Sequence, residues 1–411
     1  MKLEIDSFNY ADWLNSATEC KNIVFQSLDL TADDTKIASL PQGSIDSDNC
    51  IYLGCQLGPE LSAAAARSYA LIFPRVLGKP YDPFRRGLYT IEELFDTYSD
   101  TDPNSYYTTT DWRIYSSFIK VGADHKPLSP TQYENNGLDE VFFRRVHDNS
   151  VNDGLDEFLD GFRGPSKRGI VAIMGGHDKK RSNTEYRNVA LLARQLTLEK
   201  YLVVTGGGPG LMEAANLGAF FADKAEGEMD AAIEFLAQQA DSYTDPLWLT
   251  SAWQVRKANL PTDWNTCRSV GVPTWFYGHE PPNVFQSHIA KYFENSMREE
   301  GLLAIATHGV VFADGNAGTV QEIFQDACQN YYATYGFKSP MILFGEDYWD
   351  PRPISMNGDH PEYAPGAFPA WPLLRGLAQK KNFTQLIKLT SDIAEVIQTI
   401  QEFKAPWEMT T

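Results

Sequence analysis

Residues 169–212 read GIVAIMGGHDKKRSNTEYRNVALLARQLTLEKYLVVTGGGPGLM. Two apolar runs, Ile170–Met174 and Tyr201–Thr205, each end on glycines. The first continues through Gly175, Gly176 and His177 and a charged loop into a helix expected over Thr184–Lys200. Val189, Leu192, Ala193 and Leu196 give that helix one apolar face, and Ser182 and Glu185 have capping-box spacing. The second runs through Gly206, Gly207, Gly208 and Gly210 into a helix opening Leu211-Met212. Strand, glycine corner and amphipathic helix, repeated at this spacing, predict an α/β fold with a doubly wound, Rossmann-like parallel sheet.

A third unit of this kind lies at Val310–Tyr332. The strand Val310–Phe312 leads through Asp314–Thr319 into a helix whose Val320, Ile323, Phe324, Ala327, Cys328 and Tyr331 form a buried stripe. Thr319 and Glu322, three residues apart, share another face. The loop amides open at a helix N-terminus, where unpaired N–H groups and the helix dipole favour an anion. A phosphate held by Gly315, Asn316, Ala317, Gly318 and Thr319 would leave Glu322 one turn away. One glycine corner is only a tight turn; three, at Gly175, Gly206 and Gly315, converge at the C-terminal edge of a parallel sheet, where such folds bind ligands.

Around this core, Val272–Phe276 is expected as a further strand ending in the polar turn 278–283, and Met341–Phe344 as another. Met229–Ala240 and Ser391–Phe403 read as helices, and a segment with Trp248, Trp253 and Trp264 as a lid or an oligomer contact. Residues 165–411 are thus the expected Rossmann-like, ligand-binding domain. Residues 1–150 form an additional N-terminal α/β domain, with strands at Lys21–Leu28, Cys50–Gly54 and Ala70–Phe73 and a helix from Pro59. Thr90 to Glu93 has helix-cap spacing, Arg85 and Arg86 read first as a solvated charge pair and second as ligand or partner contacts, and Ser99–Ser117 reads as surface or interface. The polar, glycine-rich stretch Asp148–Arg168 is expected to separate the two domains.

The chain has 411 residues and a net charge of −19, which disfavours nucleic acid and anionic membranes as partners. No apolar run reaches the ~18 residues of a membrane span, and the N-terminus lacks the apolar segment of a signal peptide. The five cysteines, with no CxxC, read as buried free thiols of a cytoplasmic protein, without a metal site.

The set GG…GGGPG…GxxGTxxE resembles the LOG-type proteins, the family often mislabelled "lysine decarboxylase", over about residues 165–350. Gly206–Met212 matches its GGGxxGLM-like loop, and Asp314–Glu322 its PGGxGTxxE sequence. Gly175-Gly176-His177, Glu280-Pro-Pro-Asn283 and the large N-terminal unit look most like the long bacterial branch, the nucleotide 5′-monophosphate nucleosidases. That resemblance implies hydrolysis of the N-glycosidic bond of a nucleoside 5′-monophosphate, with Glu322 and Arg298 catalytic. It implies a phosphate at Gly315–Thr319, and nucleotide contacts from Gly175, Gly176, His177, Gly206, Gly207, Gly208, Gly210 and Asn283. It also implies a homo-oligomer paired through helices beside the site, to which Tyr331, Tyr332 and a content of nine Trp and twenty Tyr add aromatic area. Three positions depart from the pattern. Asp314 stands for Pro and places a carboxylate near the phosphate. Asn316 stands for Gly at a position where Asn tolerates left-handed backbone. Gln321 stands for a frequent Glu.

No cofactor is expected. Decarboxylation would require a pyridoxal-phosphate site, and none is outlined. The competing expectation is a nucleotide sensor on the same fold, without catalysis.

Overall fold

The computed structural model describes residues 2–44, 49–128, 137–164, 167–276, 281–357 and 360–408. They form two compact units.

The first unit comprises Met1–Gly87 and Tyr133–Leu155. Its strands β1 (Leu3–Ile5), β2 (Ile23–Gln26), β3 (Ile51–Cys55) and β4 (Leu71–Pro74) form a parallel sheet in that order. Phe25 and Tyr52 stack at 5.0 Å in the core, with Trp13 edge-on to Phe25. The helix Pro59–Arg67 starts on Pro, which lacks only an N–H the first turn cannot use, and Asp34 accepts from the amides of Glu60 and Leu61. Arg86 is ion-paired to buried Asp6, a partner inside this unit, and the Arg85 Nε donates to the Gly87 carbonyl. The expected connector Asp148–Arg168 is helical as far as Asp160, within the helix Leu138–Asp160. Its apolar residues Val151, Leu155 and Leu159 return at four-residue steps and are buried, a helical pattern that the polar residues between them hide.

The second unit comprises Leu88–Gln132 and Asp156–Thr411. Its strands are β5 (Ile170–Met174), β6 (Leu202–Thr205), β7 (Ser269–Gly271), β8 (His288–Ile289), β9 (Val310–Phe312) and β10 (Met341–Phe344). A small hairpin, β11 (Ser355–Asn357) and β12 (His360–Glu362), precedes β13 (Ile387–Thr390). Seven of these pair in the order β13-β10-β9-β5-β6-β7-β8, every pair parallel. From β5 the chain winds outward through β6, β7 and β8, then returns to place β9, β10 and β13 on the other side. This is the predicted doubly wound, Rossmann-like sheet, and its order reverses between β5 and β9. The central strands β5, β6, β9 and β10 are wholly buried, as their unbroken apolar runs require when helices cover both faces.

Four local expectations change. The strand predicted at Val272–Phe276 lies earlier, at Ser269–Gly271, because Pro273 has no N–H to donate to a ladder. Ser182 does not cap the helix Thr184–Leu198; its hydroxyl donates to Asp241. Cys328 is exposed, whereas Cys20, Cys50, Cys55 and Cys267 are buried. Ser99–Ser117 is only in part a surface stretch: residues 101–104 are exposed, but Tyr106, Trp112, Ile114 and Tyr115 are core residues of the second unit.

Residues between Tyr89 and Tyr115 also pack against the β7–β8 side of the sheet. Tyr89 exchanges backbone hydrogen bonds with Ile289 and so covers the β8 edge. Buried Asp111 accepts from the Trp275 indole at 2.9 Å and from Lys291 at 2.5 Å. Thr90 does cap its short helix, accepting from the Glu93 amide. Among the described residues no helix is long and apolar enough to cross a membrane.

Candidate functional site

The reversal of strand order between β5 and β9 opens a crevice at the carboxyl ends of both strands, the position where open α/β sheets take ligands. A cavity of about 300 Å³ occupies it. The loop after β5 supplies Gly175, Gly176 and His177; the loop after β6 supplies Gly206 and Gly208; Pro273 and Thr274 follow β7. Asn316, Ala317, Gly318, Thr319 and Glu322 come from the start of the helix Ala317–Tyr332, and Arg298 from the helix Asn295–Ala304.

Glu322 is 7% exposed and Arg298 Nη2 lies 3.7 Å from its Oε1. Burial pushes the Glu322 carboxyl above the usual carboxylate range; Arg298 pulls it back down, and Glu299 adds to the rise. Arg298 reaches this position across Gly206: a Cβ on Gly206 would lie 2.5 Å from the guanidinium. A side chain at 206 would thus displace the guanidinium or the Met212 sulfur from its present place. Gln321, on the outer face, donates to Glu299 at 3.0 Å.

The helix Ala317–Tyr332 carries no side-chain cap at its N-terminus. Its first-turn amides, from Ala317, Gly318 and Thr319, have no intrahelical acceptor, and these three residues line the cavity. Asn316 has φ −88° and ψ −152°, an extended conformation open to any residue. Its tolerance of left-handed backbone is thus not what preserves the loop. Its side-chain amide donates to Asp178 at 2.9 Å. Asp314 lines a second cavity, not this one, and its carboxylate takes a 2.8 Å ion pair from Lys179. The acid that replaces the expected proline points away from the anion-favouring amides. Burial raises the Asp314 carboxyl, and Lys179 offsets part of the rise.

Four of the predicted contact residues stand behind the cavity wall. Gly210, at φ +68°, packs where a Cβ would come within 2.3 Å of the Gly176 carbonyl oxygen, and the Leu211 amide donates to that same oxygen. Gly207, also at positive φ, donates its amide to Thr205 Oγ1. Asn283 is fully buried; its side chain donates to the Gly208 carbonyl at 3.0 Å and to Asn216 at 2.9 Å. Gly315 lies against the Thr319 hydroxyl, and its carbonyl accepts from the Tyr348 hydroxyl at 2.8 Å. Glu280, expected beside Asn283, lies outside the described residues. The three glycine corners thus interlock, the first bonded to the other two through Gly176.

Sequence reasoning missed the apolar wall of Met174, Met212 and Pro273, together with Thr274. It also missed Asp178, Lys179, Tyr348 and Asn216. Asn216 left a signal, a lone amide in the apolar run Leu211–Phe220. His177 lines the cavity edge-on to Tyr243, with ring centres 5.6 Å apart.

No protein-family model matches the chain, and no curated protein matches it in sequence. Among solved structures, the chain is similar to the molybdenum cofactor binding protein from Rippkaea orientalis, with 15% identity over 57% of this chain and 97% of that one, at a TM-score of 0.32. It is likewise similar to the Moco carrier protein from Chlamydomonas reinhardtii, with 16% identity over 58% of this chain and 97% of that one, at a TM-score of 0.33.

Proposed function

We propose that the protein hydrolyses the N-glycosidic bond of nucleoside 5′-monophosphates, giving a free base and ribose 5-phosphate. The observation that carries this reading is one cavity holding a buried carboxylate, its arginine partner and an uncapped helix N-terminus one turn away. N-glycoside cleavage develops positive charge on the ribosyl ring. In its ionised form, Glu322 stabilises that charge and takes a proton from the attacking water. Arg298 opposes the pull of burial on Glu322, and a planar guanidinium at this position can also meet substrate oxygens. The amides of Ala317–Thr319 hold the 5′-phosphate, a remote contact that positions the reacting carbon. Met174, Met212 and Pro273 give the apolar surface a base requires.

The experiment is incubation with AMP, GMP, CMP and UMP, with base release followed by chromatography. The expected result is release from at least one nucleotide, with adenosine a far poorer substrate than AMP. Equal kcat/KM for adenosine and AMP would sink the phosphate contact. The second reading, a nucleotide-binding protein without turnover, is favoured by the upward shift of Glu322, since a protonated carboxyl binds but does not stabilise a cation. Nucleotide binding at every pH with no base released would select it.

A further inference from the structure

The site reading leaves one group without a purpose: a carboxylate, Asp314, in the loop that leads into the anion-holding amides. Its surroundings supply one. The loop after β5 grips the loop after β9 at three points. The Gly176 amide donates to the Asp314 carbonyl at 2.8 Å, Lys179 Nζ sits 2.8 Å from the Asp314 carboxylate, and Asn316 donates to Asp178 at 2.9 Å. Lys179 also lies 5.3 Å from the centre of the Tyr348 ring, whose hydroxyl holds the Gly315 carbonyl. Asp314 and Asn316 are thus each matched by a side chain from the neighbouring loop. Glu185 is a further acid felt by Asp314, so Lys179 balances a locally negative environment.

We propose that Lys179 and Asp178 are positioning residues of the phosphate site: Lys179 cancels the Asp314 charge while Asp178 ties down Asn316, so that the first-turn amides face the ligand as a rigid cradle in which the Asp314 charge is compensated. The proposal rests on the phosphate reading above. Without Lys179, a partly buried carboxylate one residue from Gly315 repels a phosphate dianion and frees the loop to move. With the pair intact, the charge is compensated by a charge-assisted hydrogen bond. Asp178 acts differently, since its bond to Asn316 orders the residue before the helix and carries no compensation for Asp314.

Titration calorimetry with ribose 5-phosphate at pH 8 tests this, with thermal unfolding of each variant as a check on folding. Lys179→Ala is expected to weaken binding about tenfold or more, the size of one charge-assisted contact. Adding Asp314→Asn to Lys179→Ala should restore affinity to within about threefold of wild type, a non-additivity expected of directly coupled residues. Lys179→Arg should bind nearly as wild type. Asp314→Asn alone, which leaves an uncompensated lysine, should bind as tightly as wild type or tighter, and it serves even if Lys179→Ala does not fold. Unchanged affinity in folded Lys179→Ala overturns the proposal, as does a loss that Asp314→Asn fails to rescue or a weakening in Asp314→Asn alone. Wild-type protein that binds neither ribose 5-phosphate nor inorganic phosphate overturns the site reading and this proposal together. Wild-type binding with insensitive variants overturns only the proposal.

Discussion

Replacing Glu322 by Gln keeps the shape of the side chain and removes its charge. A carboxylate about 4 Å from a unit positive charge contributes about 4 kcal/mol at an effective dielectric near 20. Glu322 is nearly buried, so solvent screens it weakly, but the ribosyl centre carries only part of a unit charge in the transition state. Arg298, left without its partner 3.7 Å away, then acts against the developing cation. Glu322→Gln is therefore expected to lower kcat by roughly 10²–10³-fold, since each factor of ten corresponds to about 1.4 kcal/mol, with KM little changed. Stability should move the other way. Burial raises the Glu322 carboxyl, so its ionised form carries an unfavourable desolvation that Gln lacks. The variant should melt at or above the wild-type temperature. The assay is steady-state base release from the preferred nucleotide, paired with thermal unfolding at the same pH. A kcat within tenfold of wild type refutes the charge argument. A large drop in melting temperature would instead make Glu322 a structural residue. The pH profile is a second check: activity that needs the carboxylate is lost as pH falls through its raised pKa. Arg298→Met removes the group that pulls this pKa down, so it should move that limb to higher pH.

Asp326, one turn beyond Glu322, is fully buried with an unpartnered Oδ2, and burial raises its carboxyl well above the usual range. The folded chain then holds this proton where the unfolded chain has lost it, so its contribution to stability falls as pH rises above about 4; Asp326→Asn should stabilise the protein at pH 8 and progressively less towards pH 4.5 in thermal scans. Arg181, 2% exposed, pairs with buried Glu213 and donates to Ser251 and the carbonyls of Ala240 and Trp248. Arg181→Met should cost about 3–5 kcal/mol in denaturant unfolding by stranding Glu213, and a cost under about 1 kcal/mol would show that the network relaxes around the loss. The protein is expected to be a homo-oligomer, with exposed Tyr332, the last residue of the helix that carries Glu322, and Tyr335, just past it, as interface candidates; a light-scattering mass near 46 kDa with and without nucleotide would exclude it.

The parallel sheet was legible because its central strands are buried on both faces, and their apolar runs and glycine corners leave little alternative. That Thr319, Glu322 and Arg298 would share one cavity was legible for a related reason. Thr319 and Glu322 sit three apart on a helix whose start is fixed by the strand before it, and both line the cavity. Arg298 joins them from a helix only twenty-odd residues earlier. Where long-range packing decides, the sequence was silent. Nothing in Ser99–Ser117 shows that Asp111 will bond the Trp275 indole 164 positions along the chain. The aromatic content pointed to an interface, yet Trp275, Trp349, Tyr89, Tyr115 and Tyr186 are all core residues.

Asp314 shows why a residue type is a weaker guide than its direction. In the sequence it is an acid beside an expected phosphate, which counts against binding. In the fold the same backbone position sends its side chain to the far side of the loop. There Lys179, from a charged run that carried no periodic signal, meets it at 2.8 Å. The repulsion depends on where the carboxylate points and on what balances it. Both are set by a contact across 135 residues of chain, which neither spacing nor propensity encodes. The glycine loops are alike in this respect. Gly206 and Gly208 line the cavity while Gly207 and Gly210, in the same short run, serve the packing of one loop against the next. A glycine run marks where the backbone must come close to something; whether that is a ligand or a neighbouring loop is decided by tertiary packing.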